Sequence, residues 1–142
     1  MVILDTDHVS LLEHADNPLG VRLGTRLSRL SRAEAATTVI SYEEQCRGWL
    51  TCLAKAKAIR DEIDAYRRLL TQLRNYCDIY VLPFDELAAV EFQRLKKAKI
   101  RVGTMDLKNA AIALALDATL LTRNLRDFIK VPGLKIDDWT RE

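Results

Sequence analysis

The chain has 142 residues, of which 49% are hydrophobic and 30% charged, with a formal net charge of +2. This length and balance predict one globular domain over residues 1–142 with its own core. The charge is too small to indicate a nucleic-acid partner by itself, and no apolar run approaches the roughly 20 residues of a membrane span.

The three cysteines and the N-terminus indicate the compartment. Cys46, Cys52 and Cys77 have neither CxxC nor Cys/His metal spacing, and the chain begins without the basic and apolar regions of a signal peptide. We therefore predict reduced thiols, a cytoplasmic location and no membrane association.

The first predicted element is a strand over residues 2–4, where three aliphatic residues without polar alternation indicate burial on both faces. Asp7 is then predicted to cap a short helix. An amphipathic helix with a basic face is predicted over 21–30. The histidines, His8 and His14, are predicted to be surface or cap residues, because no partner motif surrounds either one.

The middle of the chain predicts a strand followed by a long helical region. Residues 36–40 are largely β-branched and predict the second strand. Ser41 and Glu44 have the S-x-x-E spacing of a capping box. Helical periodicity continues over 42–75, as one long helix or as two separated by a bend near Lys57. Its apolar stripe predicts a partner helix or a second subunit.

The remaining elements continue the alternation of strands and helices. Strands are predicted over 78–82 and 118–122, with helices after Asp85 and over 105–116 between them. A turn at Gly133 leads to an edge strand over 134–136. Repeated strand–helix alternation predicts an α/β fold with a parallel sheet flanked by helices.

Four acidic residues share a position relative to these elements. Asp5 and Asp127 follow strands, whereas Glu44 and Asp106 are predicted in first turns of helices that follow strands. Right-handed crossovers bring these positions to one edge of the sheet. Clustered carboxylates repel one another and need a cation, and oxygen ligands favour Mg²⁺ or Mn²⁺.

Each acid also has an ordinary structural explanation. Glu44 fits the capping box, Asp106 fits the preference for acids in a first helical turn, and Asp127 fits a loop turn. The coincidence of all four positions at one edge is therefore what predicts a metal site. A metal bound there would activate water and neutralise charge on a phosphate, the basis of phosphodiester cleavage.

Several segments, in order, resemble PIN domain proteins, in particular VapC-type ribonuclease toxins of type II toxin–antitoxin pairs. They cover nearly the whole chain and consist of Ile3-Leu4-Asp5-Thr6, Val39-Ile40-Ser41-Tyr42-Glu43-Glu44-Gln45-Cys46-Arg47-Gly48, Gly103-Thr104-Met105-Asp106-Leu107-Lys108-Asn109-Ala110-Ala111-Ile112-Ala113 and Leu121-Thr122-Arg123-Asn124-Leu125-Arg126-Asp127-Phe128.

The resemblance implies a PIN-like three-layer α/β/α sandwich with a central, mostly parallel sheet of four to five strands. It also implies an Mg²⁺-dependent endoribonuclease, in which Mn²⁺ is a possible substitute. Asp5 and Asp106 would be the principal metal ligands. Glu44 would fill the conserved-glutamate position, with Glu43 as the second candidate.

The last acidic position departs from the family pattern. Many relatives have Asp two residues after the threonine of this motif, where this chain has Asn124. Either Asp127 supplies the charge or Asn124 serves as a neutral ligand. Thr6 and Thr122 are expected to support the site through hydrogen bonds.

The resemblance further implies an RNA substrate, a cognate antitoxin and a homodimer. Arg123, Arg126 and Lys108 are the predicted RNA contacts, because they lie close to the acids in the chain. For any one of these cations, an ordinary solvated side chain is as good an interpretation as an RNA contact.

Two other function classes are compatible with parts of the sequence. Asp5-Thr6-Asp7-His8-Val9 fits the D-x-D-x-[TV] signature of haloacid-dehalogenase-like phosphatases, in which Asp5 would be the nucleophile. Only six residues separate Lys130 from Asp137, too few for the helix and strand expected between that family's later motifs. A catalytically silent PIN-like binding module is the third class, and Asn124 is the departure that favours it.

Overall fold

The computed structural model describes residues 1–14 and 16–142. Its central sheet has five strands in the order β3-β2-β1-β4-β5, and every neighbouring pair is parallel. The predicted α/β class with a parallel sheet is confirmed. The strands are β1 Val2–Leu4, β2 Ala35–Thr38, β3 Tyr80–Leu82, β4 Thr119–Leu121 and β5 Lys135–Asp137.

Seven helices connect and cover these strands in the described part of the chain. They are α1 Thr6–Leu12, α2 Pro18–Leu27, α3 Val39–Lys55, α4 Ile59–Asp78, α5 Glu86–Lys97, α6 Thr104–Ala115 and α7 Leu125–Phe128. Within this described part, no helix combines the length and the apolar character that crossing a membrane requires.

The sheet is buried on both faces, as the unbroken aliphatic run of β1 predicted. Ile3 and Leu120 belong to a core cluster that also contains residues of α5 and α6. Leu4 and Leu121 belong to a second cluster, formed with residues of α1 and α4. Successive strand residues point to opposite faces, so the sheet is the middle layer between two layers of helices.

The second strand ends earlier than its β-branched composition predicted. Thr38 caps α3, because its side chain accepts a hydrogen bond from Ser41 N at 3.0 Å. Val39 and Ile40 are therefore the first helical residues. The predicted capping box is wrong, since Ser41 is inside the helix and Glu44 lies in its second turn. The cap outweighs local β propensity.

The long helical region is divided, as the second of the two alternatives predicted. α3 ends at Lys55, and α4 begins at Ile59 after Ala56 and Ala58 in extended conformations. The two helices form a hairpin in which Tyr42, near the start of α3, meets Tyr76, near the end of α4. Their ring centroids are 5.0 Å apart.

The prediction for the N-terminal helix is corrected in two respects. Asp5, not Asp7, is the N-cap of α1 and accepts a hydrogen bond from Thr6 N at 2.9 Å. His8, predicted at the surface or as a cap, is fully buried. It is buried because α1 packs between the sheet and the C-terminal tail, where Trp139 N donates to His8 Nε2 at 3.3 Å.

Candidate functional site

The candidate site lies at the carboxyl edge of the sheet, where β1 and β4 end side by side. Leu4 is paired in register with Leu121, so the residues that follow, Asp5 and Thr122, are neighbours. Asp5 N also donates to Leu121 O at 2.9 Å. Such strand ends are where open α/β sheets place their ligand sites.

Asp5 is the most buried of the predicted acids and is held from three directions. Its Oδ1 accepts hydrogen bonds from Thr6 N at 2.9 Å and from Asn109 Nδ2 at 3.2 Å. Its Oδ2 accepts from Thr122 Oγ1 at 2.9 Å. Burial and the charge of Asp7 nevertheless raise the Asp5 pKa to about 6. The carboxylate is positioned firmly, but among the described residues it has no cationic partner.

Glu44 and Asp106 lie at the same edge, close enough for the charge of one to affect the pKa of the other. Both are half-buried. Burial and then the charge of Asp106 raise the pKa of Glu44. The pKa of Asp106 is likewise raised, first by burial and then by the charges of Asp127 and Asp7. Asp106 also contributes to the raised pKa of Asp5. The structure thus brings Asp5, Glu44 and Asp106 together at one edge.

Asp127 differs from the other three acids because, among the described residues, it has a cationic partner. It lies in α7 and accepts hydrogen bonds from Asn124 Nδ2 at 3.0 Å and from Lys130 Nζ at 3.4 Å. These contacts lower the Asp127 pKa. Asn124 and Asp127 therefore form one hydrogen-bonded unit beside Asp106, in which the asparagine orients the acid.

Asp7 is a further member of the acidic cluster, although the sequence predicted it as a helix cap and not as one of the four clustered acids. Its Oδ2 accepts from Arg123 N at 2.9 Å, and its Oδ1 lies 2.7 Å from His8 Nδ1. Asp7 therefore fastens α1 to the loop after β4, and its charge raises the pKa of Asp5 and Asp106. The D-x-D spacing was the available signal.

Asn109 is a second residue that the sequence analysis did not assign. It is fully buried and donates to Asp5 while its Oδ1 accepts from Thr38 Oγ1 at 2.5 Å. Asn109 lies three residues after Asp106, and this i, i+3 spacing on one helix face was the signal for it. It links β1, β2 and α6 beneath the acids.

The predicted supporting and RNA-binding residues surround this centre. The hydroxyl of Thr6 is buried and lies near Glu44, where it opposes the rise in pKa that burial causes, although the contact lacks the geometry of a full hydrogen bond. Arg123 and Arg126 are exposed, and Lys108 is half-buried. Its Nζ lies 5.9 Å from the ring centre of Phe84. Among residues 1–14 and 16–142, these three cations form no ion pair with an acid.

The donor set fits Mg²⁺ in chemical kind. The acids supply only hard oxygen ligands, and Asp5, Glu44 and Asp106 have no cationic partner among the described residues. The buried Thr6 hydroxyl lies beside Glu44 without a hydrogen bond of good geometry. Within the described residues, no three acidic, histidine or cysteine side chains are already grouped as a metal cage. Mg²⁺ does not need such a cage, because it keeps several waters and binds through one or two carboxylates plus substrate phosphates.

Comparisons with known proteins place the fold. No protein-family model and no curated protein matches the chain. The crystal structure of FitAcB from Neisseria gonorrhoeae matches with 20% identity, 100% coverage of both chains and a TM-score of 0.72. VapBC-1 from nontypeable Haemophilus influenzae matches with 25% identity, 99% coverage of this chain, 100% of the other and a TM-score of 0.66.

A third match belongs to VapBC-5 from Mycobacterium tuberculosis, a member of the VapBC family of toxin–antitoxin systems. It has 22% identity, 96% coverage of each chain and a TM-score of 0.57. The chain thus has, over nearly its whole length, the fold found in VapBC toxin–antitoxin structures. The resemblance drawn from the sequence motifs is supported at the level of the fold.

Proposed function

We propose that the chain is the toxin of a toxin–antitoxin pair and acts as an Mg²⁺-dependent endoribonuclease. The observation that carries this proposal is the group of unneutralised acids, with raised pKa values, at the carboxyl edge of a VapBC-like sheet. Asp5 and Asp106 would hold the metal, with Glu44 beside them. Bound Mg²⁺ would activate water and neutralise charge on the scissile phosphate.

The surrounding residues prepare these ligands. Thr122 and Asn109 hold the two Asp5 oxygens in fixed directions, which lowers the reorganisation needed when a cation binds. Asn124 orients Asp127 at the periphery. The exposed Arg123 and Arg126 lie where they can contact phosphates that flank the scissile bond.

The test is cleavage of a mixed RNA substrate by purified protein in Mg²⁺, Mn²⁺ or EDTA. Cleavage is expected only with metal. Asp5→Asn and Asp106→Asn should each lower the rate by more than about 100-fold, since even residues that only support metal ligands contribute 10–100-fold. Metal-dependent cleavage that persists in both variants would contradict the assignment of these ligands.

Glu44→Gln and Glu43→Gln form a matched pair for the third acid. Glu44 is half-buried beside Asp106, whereas Glu43 forms a 2.6 Å ion pair with Arg47 on the surface. Glu44→Gln should lower the cleavage rate strongly, and Glu43→Gln should leave it nearly unchanged. The reverse result would move the role to Glu43.

The same preparation distinguishes the alternative functions. Hydrolysis of a small phosphate monoester that depends on Asp5, without RNA cleavage, would indicate the phosphatase. Lys130 and Asp138, which that function would recruit, are engaged with Asp127 and Arg141 respectively. Absence of both activities, together with no divalent-cation binding in calorimetry, would indicate a PIN-like binding module.

A cognate antitoxin and a homodimer are part of the proposal. An apolar stripe on the outer face of α4 is exposed, which supports partners there. It consists of Ile59, Ile63, Tyr66, Leu70 and Leu73. Light scattering of the purified chain should give twice the 16.2 kDa protomer mass. A monomeric mass across the micromolar range would contradict the dimer and leave the stripe to the antitoxin.

A further inference from the structure

A groove runs from the acidic edge of the sheet along α2 and the C-terminal tail. Its first part, of about 600 Å³, is lined by Asp7, Arg123, Arg22 and Arg141, among others. Its second part, of about 610 Å³, shares Arg22 and Arg141 and continues to Arg29. We call the two parts together the arginine groove, after Arg22, Arg26, Arg29, Arg123 and Arg141.

The α2 arginines lie on one side of their helix and are oriented by the C-terminal tail. Their spacing of four and three residues places Arg22, Arg26 and Arg29 on one face. Arg22 Nη1 donates to Thr140 O at 2.7 Å. The Arg26 guanidinium lies 4.4 Å from the ring centre of Trp139. The pair forms a flat cationic and aromatic surface at the groove, which Arg26 itself lines.

Of the four acids that line the groove, Asp137 and Asp138 are engaged within the tail. Asp138 is buried and accepts from Thr140 N at 3.0 Å and from Arg141 Nε at 3.1 Å. Asp137 accepts from Asp138 N and Trp139 Nε1. In contrast, Arg29 and Arg123 are exposed and have no acidic partner among the described residues. Asp7 and Glu142 also line the groove, and Glu142 lies 3.4 Å from Arg22. In the described part of the chain, positive charge therefore remains without an acidic partner at Arg29 and Arg123.

We propose that the arginine groove binds single-stranded RNA on one side of the scissile bond. This inference rests on the proposed function and extends it to a second, remote part of the substrate site. The arginines would contact successive phosphates, and the Arg26–Trp139 surface would stack a base. RNA is favoured over an acidic protein partner because the groove opens at Asp7 and Arg123, directly beside the acids where a phosphate backbone would be cut.

The test uses Arg26→Gln/Arg29→Gln, with Arg60→Gln/Arg74→Gln as the control of equal charge change. Arg60 and Arg74 are on α4 and line neither part of the groove. Arg22 is left unchanged because it holds the tail. Binding of a 12-nucleotide single-stranded RNA is measured by fluorescence anisotropy in proteins that also carry Asp5→Asn, so that the RNA is not cut. Cleavage is measured in proteins that retain Asp5, with the same RNA and with a trinucleotide.

The groove variant should bind the 12-nucleotide RNA about tenfold more weakly, as expected for the loss of charged contacts. The slope of log affinity against log salt should fall by about 1.4, or roughly 0.7 per phosphate contact. KM for the long RNA should rise by a similar factor with kcat unchanged. The trinucleotide, too short to span from the acids to Arg29, should be cleaved equally by all three proteins.

Three results would overturn the proposal in distinguishable ways. RNA cleavage with unchanged KM and affinity in the groove variant would exclude a role of the groove in RNA binding and would leave the proposed nuclease function in place. Absence of RNA binding and cleavage by the parent protein in Mg²⁺ would contradict both the proposed nuclease function and the proposed RNA-binding role of the groove. Unchanged RNA binding with lost binding of a polyglutamate probe would make the groove a site for an acidic polypeptide.

Discussion

At the scale of single residues, Asp5 is held in surroundings that oppose its own charge. It accepts three hydrogen bonds that favour the carboxylate, yet burial and Asp7 outweigh them and raise its pKa to about 6. A residue retained only for capping α1 would not need to be buried beside another acid. A bound cation would favour the ionised form, which is why Asp5 is the centre of the proposed metal site.

Asp5→Asn should therefore make the metal-free protein more stable at neutral pH. The Asp5 pKa is raised from 3.8, so its ionisation lowers stability progressively as pH rises from about 4 to about 6, while the asparagine stays neutral. Above pH 6 the free energy of unfolding of the variant should exceed that of the parent by at most about 3 kcal/mol, and below pH 4 this difference should vanish. Urea unfolding in EDTA at pH 4 and pH 7.5 measures it. A variant less stable than the parent at pH 7.5 would contradict this account.

At the scale of elements, the approach of α1 and α2 depends on one glycine. Gly20 is buried, and a Cβ at this position would clash with the backbone carbonyl oxygen of Leu11. A backbone atom cannot move aside as the end of a flexible side chain can. The contact positions α2, whose next turns carry the groove arginines, against α1, the helix that Asp5 caps.

Gly20→Ala should lower the free energy of unfolding by about 1–3 kcal/mol, because the added methyl overpacks this contact. Gly24→Ala is the matched control in the same helix. A Cβ at Gly24 meets no atom within 4 Å, so alanine should be neutral or stabilising by up to about 1 kcal/mol. Equal effects of the two substitutions in thermal unfolding would exclude a packing role for Gly20.

At the scale of the whole molecule, the sheet collects charge from segments far apart in the chain. Asp5 follows β1, Glu44 lies in α3 and Asp106 lies in α6, so these acids approach one another only after the elements have packed. The unfolded chain lacks this arrangement, so a cation held by these acids, as proposed, would bind the folded state selectively. Metal binding and folding would then be linked.

Mg²⁺ should accordingly raise the melting temperature at pH 7.5 relative to EDTA at equal ionic strength. At a concentration 100 times the dissociation constant, the stabilisation is about 2.7 kcal/mol. The rise in melting temperature should be smaller below pH 6, where Asp5 becomes protonated and the proton competes with the metal for its carboxylate. It should be absent in Asp5→Asn, and an equal rise in that variant would show that Mg²⁺ binds elsewhere.

The sequence by itself determined the α/β class, the approximate strands and the acids at one sheet edge. These features depend on local patterns: aliphatic runs for strands, helical periodicity, and the rule that parallel strands end together. The division of 42–75 into two helices was also among its stated alternatives. Asp5 could be selected because it directly follows the most clearly buried run.

Only the tertiary structure decided which polar side chains meet. Thr38 capped α3 against β propensity, His8 was buried by the C-terminal tail, and Asn109 reached Asp5 across 104 positions of chain. The arginine groove likewise requires α2 and residues 137–142 to lie together. Hydrogen bonds and packing contacts between distant segments produce no periodic pattern in the sequence, because they depend on how the packed elements are placed in space.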